Sequence, residues 1–238
     1  MSDAVPVFTS ECRNCGAVLH GVYCSRCGQS HRRDRLRVRD WVEDFVGALT
    51  DADSRVLRTV LGLTLRPGQA AREYVEGHRI GYVAPFRYAL GTCALWWLAV
   101  ASNPGAASLG WVVKYGQALN LALVPLLALP VLLSFARSGY NYAEQLALNF
   151  YVTGQVFLWR VPLALAYLLG PAVAPFAIYI NLFDQLLFWA YFAWALWGFH
   201  RGRVRLMPLR IIAAEVGVTL VGALANVALG LVVKYVGR

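Results

Sequence analysis

The sequence predicts an all-α integral membrane protein: a five-helix transmembrane bundle preceded by short cytoplasmic amphipathic helices and a small zinc ribbon. Three observations carry that reading. The 238 residues are 58% hydrophobic and only 15% charged, with mean hydropathy +0.51, whereas an ordinary soluble domain is ~45 to 50% apolar and about a quarter charged. Apolar stretches of membrane-crossing length fill residues 83–238, and the polar part that precedes them holds four closely spaced cysteines. A chain this apolar cannot stay solvated, which excludes disorder. Three parts follow: a ribbon over 1–31, a basic linker with amphipathic helices over 32–82, and a transmembrane domain over 83–238.

The cysteines read Cys12-Arg-Asn-Cys15-Gly and Cys24-Ser-Arg-Cys27-Gly, with eight residues between the pairs. Two residues between thiols let each pair turn tightly and aim both sulfurs at one point, and Gly16 and Gly28 relieve the turn. Four thiolates then close a tetrahedron around structural Zn²⁺, with Cys12, Cys15, Cys24 and Cys27 as ligands. Disulfides or a redox site are the competing reading, disfavoured in a reducing cytoplasm. A closed four-sulfur shell has no open position for substrate, and it makes His20 and His31 exposed bystanders. So small a piece cannot bury a core, so metal binding supplies its folding free energy.

No apolar run preceded by positive charge opens the chain, so no cleavable signal peptide is expected and the amino end stays in the cytoplasm. The net charge of +9 suggests nucleic acid at first sight. Location argues otherwise: residues 1–82 hold twelve Arg and no Lys against ten acidic residues, and the surplus flanks the apolar segments. The run Arg32, Arg33, Arg35, Arg37 and Arg39 is read as contacting anionic lipid head groups, worth ~1 kcal/mol per Arg near the surface. A plain solvated linker is the alternative, and nucleic acid comes last.

From Asp40 the pattern turns helical. Asp40 and Glu43 have capping-box spacing, and Trp41, Val42, Phe45, Val46 and Leu49 recur on one stripe. A second amphipathic helix carries Val56, Leu57, Val60 and Leu61 against Arg55 and Arg58. Pro67 suits the first turn of a third and Gly77 its end, predicting a helix over 67–76. These helices pack on each other or lie in the lipid interface.

Crossing the hydrocarbon needs ~20 apolar residues. Five stretches qualify, approximately 84–103, 117–136, 146–169, 173–198 and 210–233. Pro85, Pro171 and Pro175 open spans, whereas Pro125, Pro130 and Pro162 lie inside them. With the amino end inside, eighteen Lys and Arg fall on the cytoplasmic side and three outside, which places the carboxyl end in the periplasm. Trp96, Trp97, Trp111, Tyr140, Tyr142, Trp194 and Trp197 lie near span boundaries, as an aromatic belt would.

Leu49-Thr50-Asp51-Ala52-Asp53, Arg58-Thr59, Arg66-Pro67-Gly68, Arg72-Glu73-Tyr74, Gly77-His78-Arg79, Tyr82 and Pro85-Phe86-Arg87-Tyr88 together resemble the signature of an uncharacterised bacterial inner-membrane family, catalogued as a domain of unknown function. Its members similarly begin with paired C-x-x-C-G motifs. The resemblance covers residues 12–90 by motif and the rest by layout. It implies a bacterial inner-membrane location and an amino-terminal zinc ribbon, and brings neither reaction nor substrate. Members tend to have a His after the Glu that opens the third span; here Glu144 is followed by Gln145.

Polar residues within spans are costly and therefore informative. Arg160 and Asp184 fall at similar depth on neighbouring antiparallel spans, which predicts an ion pair. Asn149 and Thr153 on span three, with Asn181 and Gln185 on span four, form two polar stripes: hydrogen-bonded glue, or the lining of a path. Glu215 is expected to join Arg210, and Gly222, Asn226 and Gly230 to mark a close-packing face. Cys93 reads as a small packed residue.

No catalytic constellation emerges, so no enzyme activity is expected. The leading expectation is a non-enzymatic adaptor or assembly factor, whose ribbon platform docks a protein partner while the bundle anchors it in the lipid bilayer. The alternative is a transporter or channel for a small solute or lipid, using the seam between spans three and four. No internal repeat supports the second. Nothing in the sequence indicates an oligomeric state.

Overall fold

The computed structural model describes residues 11–29, 53–102, 111–166 and 174–236. Among them the chain is helical and holds no strand. Among the described residues seven α-helices follow the amino-terminal module: α1 Asp53–Leu65, α2 Pro67–Glu76, α3 Pro85–Ala101, α4 Trp111–Ser134, α5 Tyr142–Ala166, α6 Ala177–His200 and α7 Met207–Val236. The arginine run at residues 32–39 and the helix expected from Asp40 lie outside the described residues.

Helix starts and stops follow local chemistry. Pro67 occupies the first turn of α2, where its missing N–H leaves no bond unmade. Gly77 ends the helix at φ 123°, and the His78 N–H bonds the Glu73 carbonyl at 2.9 Å. α5 opens on a capping box: Asn141 Oδ1 accepts the Glu144 N–H at 2.9 Å, and Glu144 Oε2 accepts the Asn141 N–H at 2.7 Å. Glu144 is thus a cap, a role its place before an apolar run had not distinguished from chemistry.

α5 is the hub. Every residue from Ala143 to Phe157 is buried except Thr153, which requires neighbours on all sides. On one flank Ala89, Cys93 and Trp96 of α3 join Leu146, Phe150 and Phe157 of α5 in an apolar cluster with Val124 and Ala128 of α4. On the other, α5 shares a larger cluster with α1, α2, α6 and α7, including Leu63, Tyr74, Tyr151, Ala195 and Ile211. Glycines allow three close crossings. Gly68 of α2 lies against the backbone of Ala195, Gly198 and Phe199, so any Cβ there would meet main chain. A Cβ on Gly154 would lie 2.9 Å from Ala89 Cα, and one on Gly217 would lie 2.7 Å from Pro130 Cβ.

Several expectations change. One helix among the described residues, over Met207–Ala228, is both long and apolar enough to cross a membrane. α3 has 17 residues, at the short end of the ~17 to 25 that cross a membrane. The described apolar part of α4 is Leu119–Ser134, and α5 is diluted by Glu144, Gln145, Asn149, Gln155 and Arg160. On α1 the stripe Val56, Leu57 and Leu61 is exposed, and the helix packs instead through Thr59 and Leu63. Trp96 and Tyr140 are buried in the core and belong to no peripheral belt. Arg210 does not meet Glu215: its guanidinium donates to the carbonyls of Arg205 at 3.1 Å and Ser134 at 2.5 Å, capping the end of α4. The close approach on α7 is at Gly217, because Gly222 has ordinary van der Waals room.

A candidate metal centre and the polar contacts around it

The two cysteine pairs fold into matching knuckles. Gly16 N–H donates to Cys12 O and Gly28 N–H to Cys24 O, both at 2.8 Å. The Cys12 N–H reaches Ala17 O at 2.8 Å and the Cys24 N–H reaches Gln29 O at 2.9 Å. Gly16 and Gly28 sit at φ 72° and 74°, the left-handed region that favours glycine. The C-x-x-C-G spacing thus encodes the same turn twice, and an isolated bridge between Glu11 and Val18 braces the first.

These turns bring all four sulfurs within 4.8 Å of one another. Cys12 and Cys27 Sγ are 3.6 Å apart, as are Cys15 and Cys24. A tetrahedron with metal–sulfur bonds of ~2.3 Å has edges of about 3.8 Å, so the set fits one tetrahedral ion. It does not fit disulfides, whose sulfurs stand ~2.05 Å apart, and all the cysteines are free. The Cys27 backbone N–H, assisted by that of Arg26 and opposed by burial, holds the Cys24 thiol down to about 6. Apart from the ligands, the only buried apolar residue among residues 11–29 is Leu19.

The module is seated on the end of α2. Gln29 Nε2 donates to the Gly77 carbonyl at 2.7 Å, and a Cβ on Gly77 would stand 2.9 Å from Arg13 Cβ. Gly77 therefore serves twice, as helix terminator and as contact surface.

Beneath that seat, polar side chains knit α1, α2, α5 and α6 together. Tyr82 Oη donates to Glu73 at 2.6 Å, and Thr59 Oγ1 accepts the Val83 N–H at 2.9 Å. Tyr88 donates to Gln155 at 2.5 Å, and Gln155 to Thr64 at 3.0 Å. Arg72 donates to the Gly198 carbonyl across the Gly68 crossing. Glu76 takes an ion pair from Arg203 at 2.9 Å, and that guanidinium lies 4.5 Å over the Tyr140 ring.

His200, at the end of α6, gave no distinguishing signal in the sequence. It is fully buried, stacked on Phe135 at 3.8 Å, and bonds Gln145 Nε2 at 2.9 Å. Burial pushes its imidazole down to about 3. Gln145, the residue after the α5 capping glutamate, thus meets a histidine from another helix; its Oε1 has no partner among the described residues.

Deeper along α5, Arg160 and Asp184 meet. Arg160 Nε donates to both carboxylate oxygens at 2.9 and 3.1 Å, and Nη2 to Oδ2 at 2.7 Å. Asn149 is buried and donates to the Gln145 carbonyl of its own helix at 2.9 Å. Thr153 is half-buried, while Asn181 and Gln185 are exposed.

The stretch from α1 into α3 carries most of these contacts. Residues 53–96 match a family described as a protein of unknown function (DUF3667). The match covers a minority of the chain, taking in the seat at Gly77, the Gly68 crossing and Tyr88. No curated protein and no solved structure matches.

Proposed function

We propose that this protein is a non-enzymatic adaptor or assembly factor of the bacterial inner membrane, in which a zinc-clasped module on the cytoplasmic face presents a surface to a protein partner. The observation that carries it is the four-sulfur set seated on α2. Four soft thiolates in tetrahedral arrangement suit Zn²⁺, and with all four positions filled by protein the ion is structural. Val18 and Tyr23 are 55% and 67% exposed on this module, apolar side chains suited to the desolvated centre of a protein contact.

We read the helices as a multi-pass bundle of five spans. α4, α5 and α6 have 24, 25 and 24 residues, about 36 Å at ~1.5 Å per residue, enough for a hydrocarbon core of ~30 Å. Leu182, Phe183 and Leu186 on α6 and Ile212, Leu220 and Leu224 on α7 are exposed, an outward apolar surface suited to lipid. The charge bias puts the amino end in the cytoplasm and the carboxyl end in the periplasm. A transport path has less support, because Asn149 is engaged within its own helix.

Affinity purification from the native membrane, comparing wild type with Cys12→Ser/Cys15→Ser, tests the adaptor reading. A partner present only with wild type supports it. An identical set of co-purifying proteins removes it.

A further inference from the structure

Between the cysteine module and the start of the bundle lies a cavity of about 720 Å³, within the ~300 to 1,000 Å³ typical of small-molecule sites. Its walls come from separated pieces of chain. Arg55 and Arg58 reach it from α1, three residues apart and so on one face. Arg66 enters from the α1–α2 junction, His78 and Tyr82 from the connection to α3, and Asn14 from the module.

One acid faces three arginines. That acid, Glu73, is already engaged: Oε2 accepts Tyr82 Oη at 2.6 Å and Oε1 accepts Gln69 Nε2 at 3.1 Å. Arg66 stands 3.8 Å from Glu73 with 55% of its side chain exposed, a loose pair with its fork available. Arg58 has no carboxylate partner among the described residues. The turn at residues 80–82 makes room for it, because a Cβ on Gly81 would stand 2.6 Å from the Arg58 Nη1. Among the described residues, the cavity lining therefore sets the Arg58 and Arg66 guanidiniums, with Arg55 nearby, against the single carboxylate of Glu73.

We infer that this cavity binds a phosphate-bearing anion, held by the guanidinium forks of Arg58 and Arg66 with Arg55 beside them. Each planar fork grips two oxygens of one group, and a phosphate offers three or four oxygens and up to two charges where a carboxylate offers two oxygens and one. His78 and Asn14 add donors at the rim. Two sources share this chemistry, a phospholipid head group and a free phosphate compound. The exposed Val56, Leu57 and Leu61 on the same helix as Arg55 and Arg58 would let an acyl chain lie beside a bound head group. Docking of a protein partner by the module is a separate matter.

Titration of the purified full chain in a neutral detergent tests the inference with three probes: inorganic pyrophosphate, dioctanoyl phosphatidic acid and dioctanoyl phosphatidylcholine. Saturable binding of pyrophosphate and phosphatidic acid, but not phosphatidylcholine, supports a site for exposed phosphate. Binding of phosphatidic acid alone supports it with lipid as the source, and pyrophosphate alone with a soluble one. Arg58→Gln and Arg66→Gln are each expected to weaken binding about tenfold or more, the loss of a charge-assisted bidentate contact. Arg205→Gln, an exposed arginine away from the cavity, leaves it unchanged. Gly81→Ala displaces the Arg58 guanidinium without removing charge, and weakens binding even where a charge-deleting variant fails to fold. No saturable binding by any probe overturns the inference, as does loss in Arg205→Gln equal to that in Arg58→Gln.

Discussion

Replacing Arg160 or Asp184 by Leu separates structural glue from a polar path. The pair makes three short contacts of 2.7 to 3.1 Å, and its side chains are 19% and 18% exposed. Removing one partner of a fully buried pair costs about 3 to 5 kcal/mol, while an exposed pair contributes about 0 to 1. At less than one-fifth exposure the expected loss for Arg160→Leu or Asp184→Leu is about 2 to 3 kcal/mol. In a domain of this size that lowers the melting temperature by roughly 5 to 10 °C. The double variant exchanges a desolvated ion pair for two apolar side chains and is expected to return to within about 1 kcal/mol of wild type, a coupling of about 3 kcal/mol or more. Heating in detergent followed by fluorescence-detected gel filtration reads all four proteins. Losses that simply add in the double variant, or a harmless Asp184→Leu, would show that the pair does not hold α5 and α6 together.

Three further outcomes are expected. Gly68→Ala forces a methyl into the backbone of Ala195 and Phe199; the α2–α6 crossing cannot give locally, so stability falls by about 3 kcal/mol, visible in the same heating assay. His200 has a folded value near 3 against an ordinary 6.5, so between those values the unfolded chain binds a proton that the folded chain does not. Its contribution is complete above pH ~6.5 and declines as pH falls toward 3, by about 1.4 kcal/mol per pH unit; His200→Gln keeps a partner for Gln145 and flattens that decline between pH 6.5 and 5. Chelation is expected to unfold residues 11–29 while leaving the helices intact, because Leu19 is the only apolar residue buried there besides the ligands. Exchange of their amides with deuterium, measured with and without chelator, checks this, and unchanged protection would count against it.

What the sequence discloses follows the range of the interaction. The helix over Pro67–Glu76 was legible to the residue, because a proline and a glycine terminate it through local backbone chemistry. The cysteine cluster was legible for the same reason: C-x-x-C-G specifies its own turn. The long helices lie where apolar runs required them, though how many cross lipid depends on length, polarity and neighbours together. Burial set by distant chain segments was not legible. His200 sits among Phe135, Tyr140 and Gln145, none of which lies near it in sequence. Arg58, Arg66, Glu73, His78 and Tyr82 were visible as separate motif fragments, and only the fold around the α1–α2 junction reveals that they face one cavity. The exposed stripe on α1 shows the reverse limit: periodicity located an apolar face without saying whether protein or lipid covers it.

The proposed topology holds an amino-terminal metal module inside the cell on a bundle that crosses the membrane five times. Paired reporter fusions measure this directly, with alkaline phosphatase and a cytoplasm-active fluorescent protein joined in turn to each end of the chain. Fluorescence at the amino end and phosphatase activity at the carboxyl end are predicted. Both ends reporting the same compartment would contradict it.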